Sequence, residues 1–264
     1  MPELPEVETI RRDIEPLVKN QTIKAVRAYK ARRVLRGKGG RGLKKALEGK
    51  TIKRVERRGK FLIFKLSSGG CLLIHLGMTG KILKAPDRFV KVEFKLDNGK
   101  SFYFSDIRMF GRVQYFDHYP VLKLGPEPLA DDFTAERFGE MLRRRKANIK
   151  NLLLDQKLLA GVGNIYASEA LYLSGISPKR KATSLTKTEI FKLHKAIRRV
   201  LSEGIRHRGT TISDYQDASG KSGGYQHRLR VYGRSGEACP KCRSAIKRIV
   251  IGQRSTFYCP KCQK

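Results

Sequence analysis

Two pairs of cysteines near the C-terminal end constrain the fold of this chain more than any other feature. Cys239 and Cys242 form one CxxC pair, Cys259 and Cys262 form the other, and 16 residues separate the two pairs. This spacing is typical of a closed site in which four thiolates hold a zinc ion tetrahedrally. Disulfides are disfavoured because the first residues do not resemble a secretion signal, and a redox CxxC would not be duplicated in this way. We therefore predict one structural zinc ion bound by these four cysteines.

The segment between the two cysteine pairs favours a β-hairpin. Residues 246–251 and 255–258 are strand-like, and Gly252-Gln253-Arg254 lies at the turn between them. An arginine on a rigid tip, among basic neighbours, is suited to bind a backbone phosphate. The zinc-finger hairpin thus makes Arg254 a candidate phosphate ligand.

The charge balance indicates a polyanionic partner. The chain has 57 lysines and arginines against 24 acidic residues, a formal net charge of +33. Such a field attracts nucleic acids, because each neutralised phosphate releases counterions, although charge alone does not separate DNA from RNA. An anionic membrane surface is the alternative, disfavoured because no long basic amphipathic helix is present. No apolar run reaches the ~20 residues that cross a bilayer, so we expect a cytoplasmic, nucleoid-associated protein.

Hydrophobic periodicity predicts an α+β protein with two domains. Apolar residues at helical spacing follow Pro5, which predicts an N-terminal helix that Pro16 kinks or ends. Between Thr22 and Phe116, short strand-like runs separated by glycine turns indicate an antiparallel β-sandwich or barrel. Within that region, residues 31–45 are basic and glycine-rich, which predicts a loop.

The pattern becomes helical after about residue 130. We place the domains at 1–130, 131–225 and 226–264, with the last region forming the zinc finger. Residues 209–224 are rich in Gly, Ser, Thr and Asp, which predicts a long flexible loop before the zinc finger.

The first residues offer a nucleophile. A small residue such as Pro2 permits removal of Met1, and the chain then begins with a secondary amine next to the carboxylate of Glu3. An α-amino group titrates near ~8, so part of it is unprotonated at neutral pH. Such amines attack electrophilic carbon to form iminium intermediates, and a neighbouring carboxyl group can transfer protons. The alternative is an irregular, frayed start to a helix.

Two further segments favour contacts with phosphate. Residues 161–165 place two glycines before a helix, where backbone N–H groups can approach a phosphate. Asn164 could cap that helix or donate to the same phosphate; an ordinary connection between helices is the alternative. Lys60 follows Arg57-Arg58-Gly59 and could carry charge to a site, or could belong to a solvated basic turn.

Three residues could enter a base stack. Met78 lies in a glycine-flanked turn after a strand, where an unbranched apolar side chain can act as a wedge. Arg108 and Phe110 follow a second strand, and an arginine beside an aromatic ring suits an orphaned base. The alternatives are a partly buried turn residue for Met78 and a surface arginine for Arg108.

Together these motifs resemble one family, the formamidopyrimidine-DNA glycosylases, which are bacterial base-excision enzymes that remove 8-oxoguanine. The resemblance covers nearly the whole chain. It rests on PELPEVE at 2–8, RRGK at 57–60, HLGMTG at 75–80, DIRMFG at 106–111, LGPEPL at 124–129, KLLAGVGNIYASEAL at 157–171, VYGRSGEAC at 231–239 and QRSTFYCPKCQ at 253–263. It implies an N-terminal β-sandwich with a helix, a helix–two-turn–helix domain and a zinc finger, in a monomer that binds duplex DNA in the cleft between the domains.

The resemblance also implies catalytic roles. Pro2 would attack the sugar C1′ and Glu3 would transfer a proton at the ring oxygen, after which β,δ-elimination cuts the strand. Lys60 would contact the phosphate near the reacting sugar and donate a proton in β-elimination. Arg254 would do the same in δ-elimination.

Other positions would bind or bend the DNA. Met78, Arg108 and Phe110 would fill the gap left by the flipped nucleotide, since chemistry at C1′ requires the nucleotide out of the stack. The remaining matches are the phosphate ligand Asn164, the DNA-binding residue Lys157, the acidic residues Glu6 and Glu169 near the active site, and the mobile base-capping loop at 209–224.

The chain departs from the family pattern at three places. Met109 stands where many relatives carry arginine, Ile107 stands where proline is common, and Pro86–Phe89 lacks a frequent His-Asp-His run. Lesion ranking and opposite-base preference therefore stay open, although Leu4 favours the oxidised-purine branch over the sister group that resembles endonuclease VIII. Two alternatives to an enzyme are a non-catalytic nucleic-acid-binding zinc protein and a ribosome-associated zinc ribbon.

Overall fold

Residues at the N-terminal end of the first helix determine where it begins. The computed structural model describes residues 1–37 and 39–264, and α1 runs from Leu4 to Val18. Glu3 is its N-cap and forms a capping box with Glu6, while Pro5 occupies the first turn, where a missing N–H costs nothing. Pro16 lies in the last turn and the helix continues to Val18, beyond the expected end, because the lost hydrogen bond falls near the terminus.

Two antiparallel sheets form the N-terminal sandwich. The first sheet has, in order of pairing, β1 (Ile23–Ala28), β6 (Val90–Leu96), β7 (Ser101–Ser105) and β5 (Lys81–Leu83). The second has β2 (Ile52–Arg58), β3 (Phe61–Leu66), β4 (Cys71–His75) and β8 (Arg112–Phe116). The prediction of an antiparallel β-sandwich from short strand-like runs separated by glycine turns is therefore confirmed.

Aromatic residues from both sheets meet in one core. The Phe102 ring stacks on Phe94 of its own sheet, with ring centroids 4.5 Å apart, and on Phe64 of the other sheet at 5.3 Å. All three side chains are fully buried, and they share a cluster with the apolar face of α1. The sandwich thus holds the start of the chain against its core.

The predicted loop at 31–45 is wrong in its second half. Helix α2 spans Gly39–Leu47, and its Leu43 and Leu47 are buried in the sandwich core. Burial of two leucines four residues apart outweighs the low helix propensity of the glycines. Residue 38, also within the predicted loop, lies outside the described residues.

The helices predicted after residue 130 are present. They are α3 (Ala135–Arg143), α4 (Ile149–Leu154), α5 (Asn164–Ser174) and α6 (Lys187–Arg206), followed by the hairpin β9 (Lys247–Ile251) and β10 (Arg254–Tyr258). Gly204 of α6 allows a close approach of α5, because a Cβ at this position would lie 2.6 Å from the Tyr166 ring. No helix in the described part of the chain combines the length and hydropathy of a membrane-spanning segment.

The chain divides into two compact units. Unit 1 contains residues 1–122 and 207–224, and unit 2 contains residues 123–206 and 225–264. Residues 207–224 therefore belong with the sandwich, whereas the sequence analysis placed them with the helices. The boundaries proposed at 130 and 225 stay predictions.

Candidate functional site

The start of the chain is a buried, charged cluster. Pro2 is buried, as are Glu3 and Lys60, which are 3% and 6% exposed. Partial burial lowers the pKa of the Met1 amine below its ordinary value, and Lys60 acts in the same direction, while Glu3 and Glu6 oppose it. An amine at this end of the chain is therefore more often unprotonated than one in water, as nucleophilic attack requires.

Glu6 holds this cluster together. Its Oε2 accepts from the backbone N–H of Glu3 at 2.8 Å, and its Oε1 accepts from that of Thr210 at 2.7 Å. Gly209 adopts φ +83°, and a Cβ there would lie 2.9 Å from the Glu6 side chain. Because Glu6 is 1% exposed, its carboxylate is placed to hold the N-terminus against the 209–224 loop, and its predicted role near the active site stays a prediction.

The 209–224 loop contains no helix or strand, as predicted. It consists of turns, bends and irregular backbone. Its base is clamped by Arg208, which binds Asp13 of α1 at 2.6 Å and Asp217 at 2.7 Å. Burial alone would raise the pKa of Asp217, but Arg208 and the backbone N–H groups of Lys221 and Ser219 outweigh it and lower that pKa. The loop is thus anchored to unit 1 at its base.

A buried carboxylate joins the two turns that carry the predicted wedge residues. Asp106 is fully buried; its Oδ1 accepts from the Thr79 hydroxyl at 2.6 Å and its Oδ2 from the Gly111 N–H at 2.8 Å. The Arg108 N–H in turn donates to the Thr79 hydroxyl at 3.3 Å. One acidic side chain therefore fixes the 76–80 turn relative to the 106–111 turn.

The predicted wedge residues are exposed on these turns. Met78 is 38% exposed and Phe110 57%, and the Arg108 side chain is 47% exposed. Met109, between Arg108 and Phe110, adopts φ +55°, which is unusual for a residue other than glycine, and it packs against the core. With Met109 turned inward, its two neighbours project outward, which suits insertion into DNA.

His75, which ends β4, was not predicted from the sequence to have a role of its own. Its Nδ1 accepts from the Gly77 N–H at 3.1 Å, and its ring packs on Phe61 with centroids 4.8 Å apart. Burial, with the charges of Lys60 and Arg112, lowers the pKa of His75 to about 4. The neutral ring can therefore accept this hydrogen bond and fix the start of the Met78 turn; a histidine directly before a glycine turn was the available signal.

In unit 2, α5 and the zinc-finger hairpin meet at Asn164. The N-cap of α5 is Gly163, so Asn164 is the first helical residue and not the cap. Its Nδ2 donates to the backbone carbonyl of Ser255 at 2.8 Å. Arg254, exposed at the start of β10, therefore lies next to the residue that Asn164 binds.

The hairpin tip is a two-residue turn. Gly252 and Gln253 have φ +57° and +62°, which matches the twist of the flanking strands. A Cβ at Gly252 would lie 2.3 Å from Asn151 Oδ1 of α4, so the tip is held close to that helix. Arg254 follows this turn directly as the first residue of β10, and its role as a phosphate ligand stays a prediction.

The two remaining candidates in unit 2 differ in exposure. Lys157 is exposed in the connection between α4 and α5. Glu169 is fully buried, and its carboxylate accepts from the N–H groups of Arg230, Val231 and Tyr232, each at 2.9 Å. Lys157 can reach a ligand, whereas Glu169 is placed to hold the 230–232 segment on α5; the predicted roles of both residues stay predictions.

The four predicted zinc ligands converge. The Sγ atoms of Cys239, Cys242, Cys259 and Cys262 all lie within 4.8 Å of one another. This geometry fits a tetrahedral ion with Zn–S bonds of about 2.3 Å. The prediction of one structural zinc ion is confirmed, and α5 contributes a further contact because the Tyr172 hydroxyl lies 3.3 Å from Cys239 Sγ.

Three family models match successive parts of the chain. The formamidopyrimidine-DNA glycosylase N-terminal domain matches residues 1–113, the H2TH domain of the same enzymes matches 124–216, and a zinc finger found in FPG and IleRS matches 236–264. A formamidopyrimidine-DNA glycosylase of Herpetosiphon aurantiacus is 45% identical over 272 residues, covering 100% of both chains. The chain belongs to the formamidopyrimidine-DNA glycosylase family.

Solved structures of this family share the whole fold. MutM (FPG) from Thermus thermophilus has a TM-score of 0.91 at 43% identity, covering 99% of this chain and 98% of its own. A variant of Lactococcus lactis FPG in complex with Fapy-dG-containing DNA has a TM-score of 0.92 at 38% identity, covering 100% of both chains. Membership of the family makes this chain a DNA glycosylase, an enzyme that hydrolyses N-glycosyl bonds of damaged bases.

Proposed function

We propose that the chain is a bifunctional enzyme that excises oxidised purines from duplex DNA and then cuts the strand at the abasic site. The observation that carries this proposal is the buried start of the chain, where Pro2 and Glu3 are buried and the buried Lys60 is close enough for its charge to act on the terminal amine. Pro2 becomes that amine once Met1 is removed. Relatives with DNA in their structures support the choice of substrate, since the Lactococcus lactis protein has been crystallised with Fapy-dG-containing DNA.

In the first step, the Pro2 nitrogen bonds to the sugar C1′ while the bond from C1′ to the base breaks. The base leaves with the bonding electron pair and takes up a proton. Glu3 protonates the ring oxygen as the sugar opens, and loss of the amine proton gives an iminium between Pro2 and C1′. A carboxylic acid next to the reacting carbon is suited to this transfer.

In the second step, the iminium makes the C2′ proton acidic, and its loss expels the 3′ phosphate. A second elimination expels the 5′ phosphate, and water then hydrolyses the iminium to free Pro2. Lys60 and Arg254 bind the two phosphates and supply protons as these groups leave. Both side chains are cations, so they stabilise the charge that develops on each leaving oxygen.

DNA binding uses groups from each unit. Met78, Arg108 and Phe110 enter the gap left by the flipped nucleotide, which offsets part of the unstacking cost of a few kcal/mol. In unit 2, Asn164, Lys157 and Arg254 bind phosphates. Glu6 and Glu169 serve as positioning residues, because their carboxylates are buried against backbone N–H groups.

Borohydride trapping tests this proposal. The processed chain, with Pro2 verified as its first residue by mass spectrometry, is incubated with a duplex containing 8-oxoguanine and reduced. We expect a covalent adduct at Pro2, because borohydride reduces an iminium to a stable amine. The matched control carries a short extension before Pro2: it should bind the duplex and form no adduct. Full activity of the extended chain would exclude Pro2 as the nucleophile.

A further inference from the structure

An ion pair connects a wedge residue to the 209–224 loop. Arg108 Nη2 lies 3.3 Å from Asp214 Oδ2, and the Ser213 hydroxyl donates to the same oxygen at 2.9 Å. Both side chains are partly exposed, Arg108 at 47% and Asp214 at 37%. The pair thus joins two surface segments that are 106 residues apart in the sequence.

The backbone on the Arg108 side of this pair is held independently of it. The Arg108 N–H is bound to Thr79, which is bound to the buried Asp106. The Arg108 side chain can therefore leave Asp214 without displacing the turn that carries it. When the pair breaks, the loop loses the restraint that Arg108 places on Asp214.

The loop has its own anchors, but they lie to either side of Asp214. Thr210 is bound to Glu6, and Arg208 clamps Asp217. Between these anchors, the Thr211 hydroxyl donates to the Tyr215 carbonyl and closes a short turn around Asp214. Tyr215, directly after Asp214, is buried in the sandwich core, and its hydroxyl donates to the Arg208 carbonyl at 3.0 Å. The Arg108 contact therefore restrains residues 212–214, the more exposed part of the loop that precedes Tyr215.

Asp214 also faces the N-terminal cluster. Its charge raises the pKa of the Met1 amine, in opposition to burial. The same loop carboxylate therefore acts on the charge at the start of the chain and is bound to a candidate wedge residue. The conformation of the loop around Asp214 is therefore coupled to the position of the Arg108 side chain.

We propose that Asp214 competes with DNA for Arg108. The inference rests on the proposed function, in which Arg108 enters the gap left by a flipped nucleotide. In the free protein, Asp214 holds Arg108 on the loop; when Arg108 enters the DNA, the pair breaks and the tip of the loop is released. An exposed ion pair is weak and screened by salt, so the competition is reversible and changes DNA affinity by about two- to fivefold.

A double-mutant cycle tests the competition. The dissociation constant for a duplex with an abasic-site analogue is measured at low salt for the wild type, Asp214→Asn, Arg108→Ala and the double variant. We expect Asp214→Asn to tighten binding about two- to fivefold, and to have no effect once Arg108 is absent. Equal tightening in both backgrounds would reveal a general charge effect and overturn the proposal, as would no tightening in either.

Hydrogen exchange of the free protein provides a readout that needs no lesion chemistry. Backbone amides at 211–216 should exchange faster in both Asp214→Asn and Arg108→Ala, and to a similar extent. Asp97→Asn, which removes an exposed charge from a distant hairpin turn of unit 1, should leave these amides unchanged. Unchanged exchange in the first two variants would overturn the proposal even if Pro2 trapping succeeds, and failed trapping with faster exchange would overturn only the proposed chemistry.

Discussion

The zinc site and the N-terminal cluster differ in how they are assembled. All four zinc ligands lie between Cys239 and Cys262, within 24 residues of chain. The N-terminal cluster combines Glu3 and Glu6 with Lys60 and with the backbone of Thr210. Local spacing is enough to specify the first site, whereas the second exists only after the sandwich has folded.

The two sites also neutralise their charges differently. Four thiolates within 4.8 Å of one another repel unless a cation binds between them. Glu6 instead accepts hydrogen bonds from two backbone N–H groups of the chain itself, those of Glu3 and Thr210. The zinc site should therefore depend on a metal, and the N-terminal cluster on the fold of unit 1.

The largest expected effect concerns Glu3. Glu3→Gln removes the proposed proton donor and should lower the single-turnover rate of base excision by about 10²- to 10⁴-fold, the usual contribution of general acid catalysis. Duplex affinity should stay within about twofold, because the side chain is buried and binds no phosphate. Glu56→Gln, which removes a carboxylate that pairs with Arg54 on the surface, is the matched control. An unchanged rate in Glu3→Gln would show that the cluster does not act through this carboxylate.

Removal of zinc should destabilise the zinc-finger hairpin and leave the sandwich that holds the N-terminal cluster folded. Metal analysis should find about one zinc per chain, as a closed four-thiolate site requires. In Cys259→Ser or after chelation, amides of β9 and β10 should lose protection from hydrogen exchange, because such hairpins depend on metal to fold. Amides of β2, β3 and β4 should keep theirs. Loss of protection in both places would contradict the independence of the two sites.

A smaller effect is expected at the turns that carry the wedge residues. Thr79→Val keeps the shape of the side chain but removes the donor to Asp106, leaving a buried carboxylate oxygen short of a partner. Unfolding free energy, measured by denaturant titration, should fall by about 1–3 kcal/mol. Thr79→Ser keeps the hydroxyl and should recover most of the loss; if serine and valine cost the same, Asp106 does not hold the turns through this bond.

The smallest effect concerns Glu8, on α1 but outside the cluster. Burial would raise the pKa of Glu8, yet hydrogen bonds and charges from Arg11, Arg12 and Arg57 outweigh it and lower that pKa. Because the folded-state pKa lies below the unfolded one, the stabilisation is complete above the ordinary glutamate range and is lost as the pH falls through the folded value. Glu8→Gln should lower Tm at pH 7 by about 2–4 °C and match the wild type in strong acid. A constant difference at all pH values would assign the effect to packing.

Several features could be predicted from the sequence because their causes are local. The CxxC spacing identified the zinc ligands, glycine at a hairpin turn located the tip beside Arg254, and short strand-like runs between glycine turns located the strands. The helix α2 was missed because burial of Leu43 and Leu47 outweighs glycine-rich composition. Such burial depends on which surface is nearby, and a local pattern does not contain that information.

The roles of several hydrogen-bond acceptors were also not predicted from the sequence. His75 accepts from the N–H of Gly77, which is local. Asp106 accepts from the Thr79 hydroxyl, 27 residues away, and nothing in its immediate neighbours identifies that donor. Glu6 and Glu169 were matched to functional positions, but only their burial against backbone amides indicates a positioning role. These roles depend on donors brought from elsewhere in the chain.

The sequence by itself determined the chemistry available to this protein: a proline amine beside a carboxylate, four thiolates at zinc spacing and a large positive charge. Only the tertiary structure decided that Glu6 joins the N-terminus to Thr210, that Asp106 joins two turns, and that Arg108 faces Asp214. The reason is physical. Spacing along a chain sets which ligands can close around one ion, but hydrogen bonds and burial between distant segments are set by packing, which forms only when the whole unit folds.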